Sequence, residues 1–368
     1  MEKFSARNNY LDLPHGRINY PVYLPDATYG MVRSVDAEDL EKASVQGVVM
    51  NTFHLMTKPG KLVVSSLGGL HKMSGWPHPI ITDSGGFQIY SLIHDNESLG
   101  KINPDGFIYY PENSNRKINF TPEKSVQLQM SFGTDVVICL DECTHVDASY
   151  EDQKNSVEHT VNWAKRCKKE FDEQLKIRKI DTLPPKIFAV VQGGGYQDLR
   201  KQCADELLNI GFDGFGFGGW PLDNDGNLLE DVLSYVREVI PSEFPIHALG
   251  IGHPEFVTLC WHLGYDIFDC AMPTRDARHG RLYAFQNENP ELTGKWLDYI
   301  YIDDEKHIRE DEPISPLCDC PVCKRYSIGY LRHLFKMNDT LFQRLASIHN
   351  IRILTLLTEM LRKQRYGL

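Results

Sequence analysis

Eight apolar runs of strand length recur along this chain, at 20–24, 47–51, 79–83, 135–141, 186–192, 214–219, 245–250 and 265–269, with polar residues or glycines gathered where they end. Between several of them lie amphipathic helical stretches: 156–174, with Val157, Val161, Ala164 and Phe171 on one stripe, then 196–210, 227–239 and 254–263. Runs that stay apolar instead of alternating belong to strands covered on both faces, which occur in parallel sheets flanked by helices. Eight such units predict an α/β fold, a (β/α)8 TIM barrel, whose active site gathers at the C-terminal ends of its strands. A doubly wound open sheet is the competing arrangement. With 368 residues there is room for one barrel and an appendage.

Two stretches break the alternation. Residues 92–121, rich in Gly, Asn and Pro around Phe107-Ile-Tyr-Tyr110 and Lys117-Ile-Asn-Phe120, predict a two-stranded insert on the functional face. From 282 onward the β–α pattern ceases, and 310–368 carries a cysteine cluster and two helical stretches, 324–336 and 339–364. The expected division is a barrel with an N-terminal strand over 1–281, a zinc-binding subdomain over 282–350, and a C-terminal helix over 351–368 that completes the barrel. No internal repeat interrupts it.

Charge narrows the partners. Lys+Arg 39 against Asp+Glu 50 gives a net charge of −11. No global positive field recruits nucleic acid, so any such site is a local patch. The first ten residues lack an apolar core, and no later stretch approaches the roughly 18 apolar residues of a membrane span. A cytoplasmic protein with no membrane partner is expected. Cys139, Cys143, Cys167, Cys203, Cys260 and Cys270 are scattered singly, which suits a reducing compartment rather than a disulfide framework.

Cys318-Asp-Cys320-Pro-Val-Cys323 is the strongest local signal. With His349 from the helical segment 346–350, or with His333, three thiolates complete a tetrahedral Zn2+ shell without an open position, the structural type of site. Three strand ends carry carboxylates: Asp83, Asp141 and Asp269. Singly, each reads as a turn or helix-capping residue. Together on one barrel rim, they have the composition to divide nucleophile, acid/base and substrate-acceptor roles. Glycines at Ser84-Gly85-Gly86-Phe87, Gln192-Gly-Gly-Gly195 and Gly218-Gly219 let a flat ligand approach the backbone, but none forms a phosphate loop. After Asp269, the segment Pro273-Thr-Arg-Asp-Ala-Arg-His-Gly-Arg281 puts three arginines into nine residues of an acidic chain. Their forked guanidinium groups are suited to base edges and phosphates.

Taken in order, these residues resemble the tRNA-guanine transglycosylases, or queuine tRNA-ribosyltransferases, especially the bacterial members. The resemblance runs from about residue 7 to 365. It passes through Asn51-Thr-Phe-His-Leu55, Thr82-Asp-Ser-Gly-Gly-Phe-Gln88, Leu140-Asp-Glu-Cys143, Val191-Gln-Gly-Gly194, Gly250-Ile-Gly252, Phe268-Asp-Cys270, Pro273-Thr-Arg275 and the cysteine cluster. That family exchanges a guanine in tRNA for a 7-deazaguanine base on a (β/α)8 barrel with a zinc subdomain. The resemblance implies that Asp269 is the nucleophile at the ribose C1′, forming a covalent glycosyl-aspartate, and Asp83 the general acid/base. It assigns the base edge to Asp141, Ser84, Gln192 and Gly219, with Gly85, Gly86 and the Trp220 carbonyl beside them, and the base faces to Phe87 and Leu249. Arg275, Arg278 and Thr274, together with Gly250, Gly252 and His253, fall on segments contacting the anticodon loop. Cys318, Cys320, Cys323 and His349 fall on the zinc ligands, which selects His349 over His333.

The same resemblance implies a homodimer, with Tyr326, Tyr330 and His333 at an aromatic interface. No cofactor besides one structural zinc is implied. Where bacterial members read Gly-Gly-Leu-x-Val-Gly-Glu, this chain has Gly218-Gly-Trp-Pro-Leu-Asp-Asn224 and lacks the supporting Glu. Cys143 resembles members taking 7-aminomethyl-7-deazaguanine, and Leu222 crowds the larger cyclopentenediol of queuine. The smaller base at the wobble position of tRNA with GUN anticodons is therefore the expected substrate, with queuine as the alternative. An extra C-terminal RNA-binding module, as in archaeal members, is not expected. Two rivals are a relative inserting a deazaguanine into DNA, and a zinc-stabilised RNA-binding module without catalysis.

Overall fold

Each of the eight apolar runs forms a short parallel strand, and the described burial of those strands is nearly complete. We describe a computed structural model covering residues 8–367 except 112–116, 146, 181, 288 and 289. Most of the N-terminal stretch read for a leader, residues 1–7, lies outside the described residues. The barrel strands are β1 (Val22–Pro25), β2 (Val48–Met50), β3 (Ile80–Thr82) and β4 (Val136–Ile138). They continue with β5 (Lys186–Val191), β6 (Gly214–Phe217), β7 (Ile246–Ala248) and β8 (Ile267–Cys270). Their order is β1-β8-β7-β6-β5-β4-β3-β2. A parallel bridge between Asp26 and Val49, with Ala27 N donating to Val49 O at 2.7 Å, joins the two ends into a ring. The open sheet is thereby excluded, and the expected barrel is the fold.

The interior dictates the odd composition of β6. A Cβ on Gly214 would come within 2.6 Å of the Phe188 ring, one on Gly216 within 2.9 Å of Leu249, and one on Gly218 within 2.6 Å of Gln192. Neighbouring strands thus fill the space that β6 side chains would take, so the barrel is packed rather than hollow.

Carboxylates at the strand starts hold the lower rim. Asp135 precedes β4 and accepts from Ile80 N of β3 at 2.8 Å. Asp213 precedes β6 and accepts from Ile187 N of β5 at 3.0 Å, and Asp266 precedes β8 and accepts from Ile246 N of β7 at 2.9 Å. Each stitches its strand to the one before it, satisfying a backbone donor where the ladder begins. Asp135 also accepts from His15 N at 2.9 Å, which docks the turn of a hairpin formed by Tyr10–Leu13 and Gly16–Asn19. A hairpin, rather than a single N-terminal strand, therefore precedes the barrel.

The insert departs from expectation. It is a three-stranded antiparallel sheet, Gly100–Asn103, Gly106–Tyr109 and Ile118–Phe120, not a two-stranded one. The additional strand, Gly100-Lys-Ile-Asn103, is only partly covered and so carries no apolar run to betray it. Gly100 is required there, because a Cβ would sit 2.1 Å from Ile108 O.

Past β8 the chain forms a helix, Met272–Arg278, and an antiparallel pair, Arg281–Phe285 with Leu297–Tyr301. The cysteine loop and the helix Ile328–Lys336 follow. One continuous helix, Thr340–Tyr366, then runs back to the barrel, so a boundary at residue 350 falls inside it. Thr355 Oγ1 donates to Ala43 O at 2.6 Å, and Arg362 donates to Pro21 O at 2.5 Å, fastening that helix to the N-terminal segment. Among the described residues no helix is long and apolar enough to cross a membrane.

Replacing Asp135 with Ala strands two backbone donors at the lower rim. The expected loss is about 2–4 kcal/mol of unfolding free energy, read from urea denaturation.

Candidate active site and metal centre

At the opposite rim, strand-end carboxylates meet amides, hydroxyls and one imidazole, with no lysine or arginine paired to them among the described residues. Asp83 follows β3. Its Oδ1 accepts from Thr52 N and Gly85 N, each at 3.0 Å, and its Oδ2 accepts from Asn51 Nδ2 at 2.6 Å. Asn51 is itself fixed by capping the helix Thr52–Leu55, accepting from His54 N at 2.8 Å. Gly85 has φ +80°, and a Cβ there would lie 2.9 Å from Phe53 N, so only glycine lets the chain turn tightly enough to reach Asp83. Burial pushes the Asp83 carboxyl up to about 7, and the negative charges of Asp26 and Asp269 push the same way.

Asp141 follows β4. Gln192 Nε2 donates to it at 2.7 Å and Ser84 Oγ at 3.4 Å, while Ser84 Oγ also accepts from Gly86 N at 3.2 Å. Burial raises Asp141 to about 6 against the pull of those bonds. Gln192 Oε1 is buried without a hydrogen-bond partner among the described residues. An acceptor carboxylate beside an unpaired amide carbonyl suits a ligand edge rich in N–H groups.

Asp269 lies in β8. His247, fully buried in β7, places Nε2 2.8 Å from Asp269 Oδ1, and Gly250 N donates to the same oxygen at 3.0 Å. Both bonds fall on Oδ1, so Oδ2 is the oxygen without a partner among the described residues. Phe87 and Trp220 are both 42% exposed and meet edge to face at 5.7 Å, giving aromatic surface above the rim. Leu249 is half-buried in the loop after β7. Gly219 turns with φ +88°, and its backbone hydrogen-bonds Cys143.

The arginine segment divides. Arg281 Nε donates to Asp276 at 2.9 Å and is spoken for. Arg275 and Arg278 instead line a cavity of about 350 Å3 with Asp26, Thr28, Arg33, His54 and Thr274. Burial lowers the Arg278 pKa, and the like charges of Arg33 and Arg275 lower it further. Gly252 packs against Cys270, where a Cβ would come within 2.4 Å, and His253 Nε2 lies 2.6 Å from Tyr299 OH.

Cys318, Cys320, Cys323 and His349 bring their ligand atoms within 4.8 Å of one another, and His333 is outside this group. His349 Nε2 lies 2.7 Å from the Tyr283 carbonyl, so Nε2 carries the proton and Nδ1 is left for a metal. Nδ1 is 3.3 Å from Cys323 Sγ and 3.7 Å from Cys320 Sγ. Three thiols and one oriented imidazole fit a closed structural metal site. Arg352 Nε, donating to Asp319 at 2.6 Å, clamps the loop to the last helix.

Two residues escaped the sequence reading. Asp26 directly follows β1, much as Asp83 follows β3, but lies two positions beyond its apolar run. His247 is a lone imidazole inside an apolar run, a signal that reads equally well as core. Their significance depends on which residues the barrel brings beside them.

Removing one metal ligand by Cys323→Ser is expected to abolish stoichiometric metal in elemental analysis. It should also lower the melting temperature by about 5 °C or more. Full metal occupancy in that variant would show that the four residues are not the ligand set.

The comparisons agree with the geometry. The family model described as Queuine tRNA-ribosyltransferase matches residues 3–364. A Queuine tRNA-ribosyltransferase of Thermoanaerobacter sp. (strain X514) is 36% identical over 359 residues, 98% of this chain and 90% of that protein. One of Psychrobacter sp. (strain PRwf-1) is 37% identical over 347 residues, 94% of this chain and 86% of that protein. The chain belongs to the queuine tRNA-ribosyltransferase family, a family of pentosyltransferases.

Proposed function

We propose that this chain exchanges the wobble guanine of tRNAs with GUN anticodons for a 7-deazaguanine base, by double displacement through a glycosyl-aspartate. The observation that carries this reading is the pairing of Asp269, whose Oδ2 is left unbonded, with Asp83, whose pKa of about 7 lets it hold or release a proton at neutrality. Asp269 Oδ2 attacks C1′ as the C1′–N9 bond breaks, and the Asp83 proton passes to the departing guanine. The incoming base returns a proton to Asp83 from its ring N–H and attacks C1′, releasing Asp269. Two inversions give retention at C1′. His247 and Gly250 N hold Oδ1, so the unbonded oxygen is the one presented. Asp141, Ser84, Gln192, Gly219 and the Trp220 carbonyl read the edge of the base at the glycine turn Gly85-Gly86, with Phe87 and Leu249 on its faces.

The anticodon loop is held by Arg275, Arg278, Thr274 and the segment Gly250, Gly252 and His253. The metal is a single structural zinc on Cys318, Cys320, Cys323 and His349, within a subdomain that begins near residue 282 and ends in the helix Thr340–Tyr366. The working form is a cytoplasmic homodimer, and Tyr326 and Tyr330, stacked at 5.2 Å, supply an interface with His333. The favoured incoming base is 7-aminomethyl-7-deazaguanine, on the resemblance of Cys143 and Leu222 to the positions of members that take the smaller base. Use of queuine directly is the alternative.

The test is release of labelled guanine from unmodified tRNA, with the two deazaguanines offered in parallel. Release driven by the aminomethyl base alone supports the reading, and release by queuine alone transfers it to salvage. Asp269→Asn should still bind tRNA, form no adduct on a denaturing gel and lose at least about 10³-fold in kcat. A persisting adduct in that variant would assign the nucleophile elsewhere.

The two raised carboxyls give a pH expectation. Asp141 must be ionised to accept from the base, so kcat/KM should fall as pH drops below about 6. Asp83 must carry a proton when guanine leaves, so kcat/KM should also fall as pH rises above about 7. A flat profile from pH 5 to 9 would remove Asp83 from proton transfer.

A further inference from the structure

The upper rim holds a fourth carboxylate that these roles do not use. In the β8–β1 register Asp269 lies opposite Leu24 and Cys270 opposite Pro25. Asp26, two residues past Leu24, therefore returns to the face that carries Asp269. On its other side Asp26 bridges Val49, two residues before the Asn51 that holds Asp83. Asp26 thus stands on the rim between the nucleophile and the acid/base.

Asp26 is half-buried, and among the described residues its donors come from Thr28 alone. The Thr28 hydroxyl lies 2.7 and 2.8 Å from its two oxygens with one proton to share, and the Thr28 backbone N–H also donates to the carboxylate. No cation among the described residues lies within ion-pair distance of Asp26, although Arg33, Arg275 and Arg278 line the same cavity of about 350 Å3. None of those arginines forms an ion pair among the described residues, and Arg278 Nη1 is buried without a hydrogen-bond partner. Groups of opposite charge that face one cavity without pairing are arranged for a ligand that supplies both partners. That ligand offers anionic oxygens to the guanidinium groups and a hydroxyl to the carboxylate.

A ribose-phosphate chain has this chemistry. Within a polynucleotide the 3′ and 5′ oxygens are esterified, so the 2′-hydroxyl is the sugar's one remaining O–H donor. It sits on the carbon next to C1′, the atom that Asp269 attacks. We propose that Asp26 accepts a hydrogen bond from the 2′-hydroxyl of the target nucleotide and so selects RNA over DNA at the reacting sugar. This rests on Asp269 being the nucleophile at C1′.

The test compares anticodon stem-loops that differ only in ribose or 2′-deoxyribose at the target guanosine, read as kcat/KM for guanine release. The unsubstituted protein should prefer ribose by about 10- to 100-fold, the range of a charge-assisted hydrogen bond. Asp26→Ala should bring the two substrates to within about threefold of each other. Asp26→Asn, which keeps an acceptor oxygen for Thr28 or the sugar, should fall between, and it carries the comparison if the Ala variant does not fold. Equal rates on both sugars in the unsubstituted protein, or an equal slowing of both by the substitutions, overturns the proposal. Adducts on a denaturing gel separate the two readings. An Asp269-dependent adduct with an unchanged sugar preference retires Asp26 alone, whereas no Asp269-dependent adduct retires both.

Discussion

Because eight strands run in one direction around a closed ring, every strand start lies on one rim and every strand end on the other. This constraint gives the same residue type two different physical environments. At the lower rim, Asp135, Asp213 and Asp266 accept from backbone amides of the preceding strand. They are consumed by the fold, and their value is stability. At the upper rim the ladders stop, and the carboxylates of Asp83, Asp141, Asp269 and Asp26 meet backbone amides, side-chain amides, hydroxyls and the His247 imidazole. With no lysine or arginine to hold them ionised, burial raises Asp83 to about 7 and Asp141 to about 6, helped by the charges of Asp26 and Asp269 at Asp83 and of Glu142 at Asp141. Among the described residues, no lysine or arginine pairs with these groups.

The cations are nearby but displaced. Arg275, Arg278 and Arg33 gather around an adjoining cavity rather than on the carboxylates. Pairing them directly would have lowered the carboxyl pKa values and removed the proton that the proposed exchange moves. Keeping them off those groups leaves a local cluster of guanidinium groups on a chain of net charge −11, which is where the proposed function seats the anticodon loop. The metal group and the long last helix support this arrangement from outside. Asn350 Nδ2, in that helix, donates to Pro273 O at 3.0 Å, directly behind the segment that carries the arginines.

The fold was legible because a strand buried on both faces must be apolar throughout, and eight such runs alternating with amphipathic helices leave few architectures. The third insert strand, Gly100–Asn103, was not legible, since a partly covered edge needs no apolar pattern. In the site, Asp83, Asp141 and Asp269 could be picked out as carboxylates closing apolar runs, and the cysteine spacing announced its own chemistry. Asp26 and His247 could not. One lies just past its run and the other within one, and nothing local separates such residues from a turn cap or a core imidazole.

By itself, then, the sequence determined the barrel class, the three strand-end carboxylates and the thiol cluster, because each is a short-range pattern with a strong physical cause. Tertiary structure decided which carboxylates staple strands and which remain available, that His247 and Gly250 bond the same oxygen of Asp269, and that Asp26 lies between Asp269 and Asp83. Those outcomes depend on register and ring closure, which join residues tens of positions apart and, where the last strand meets the first, more than two hundred, and so leave no trace in any local stretch of chain.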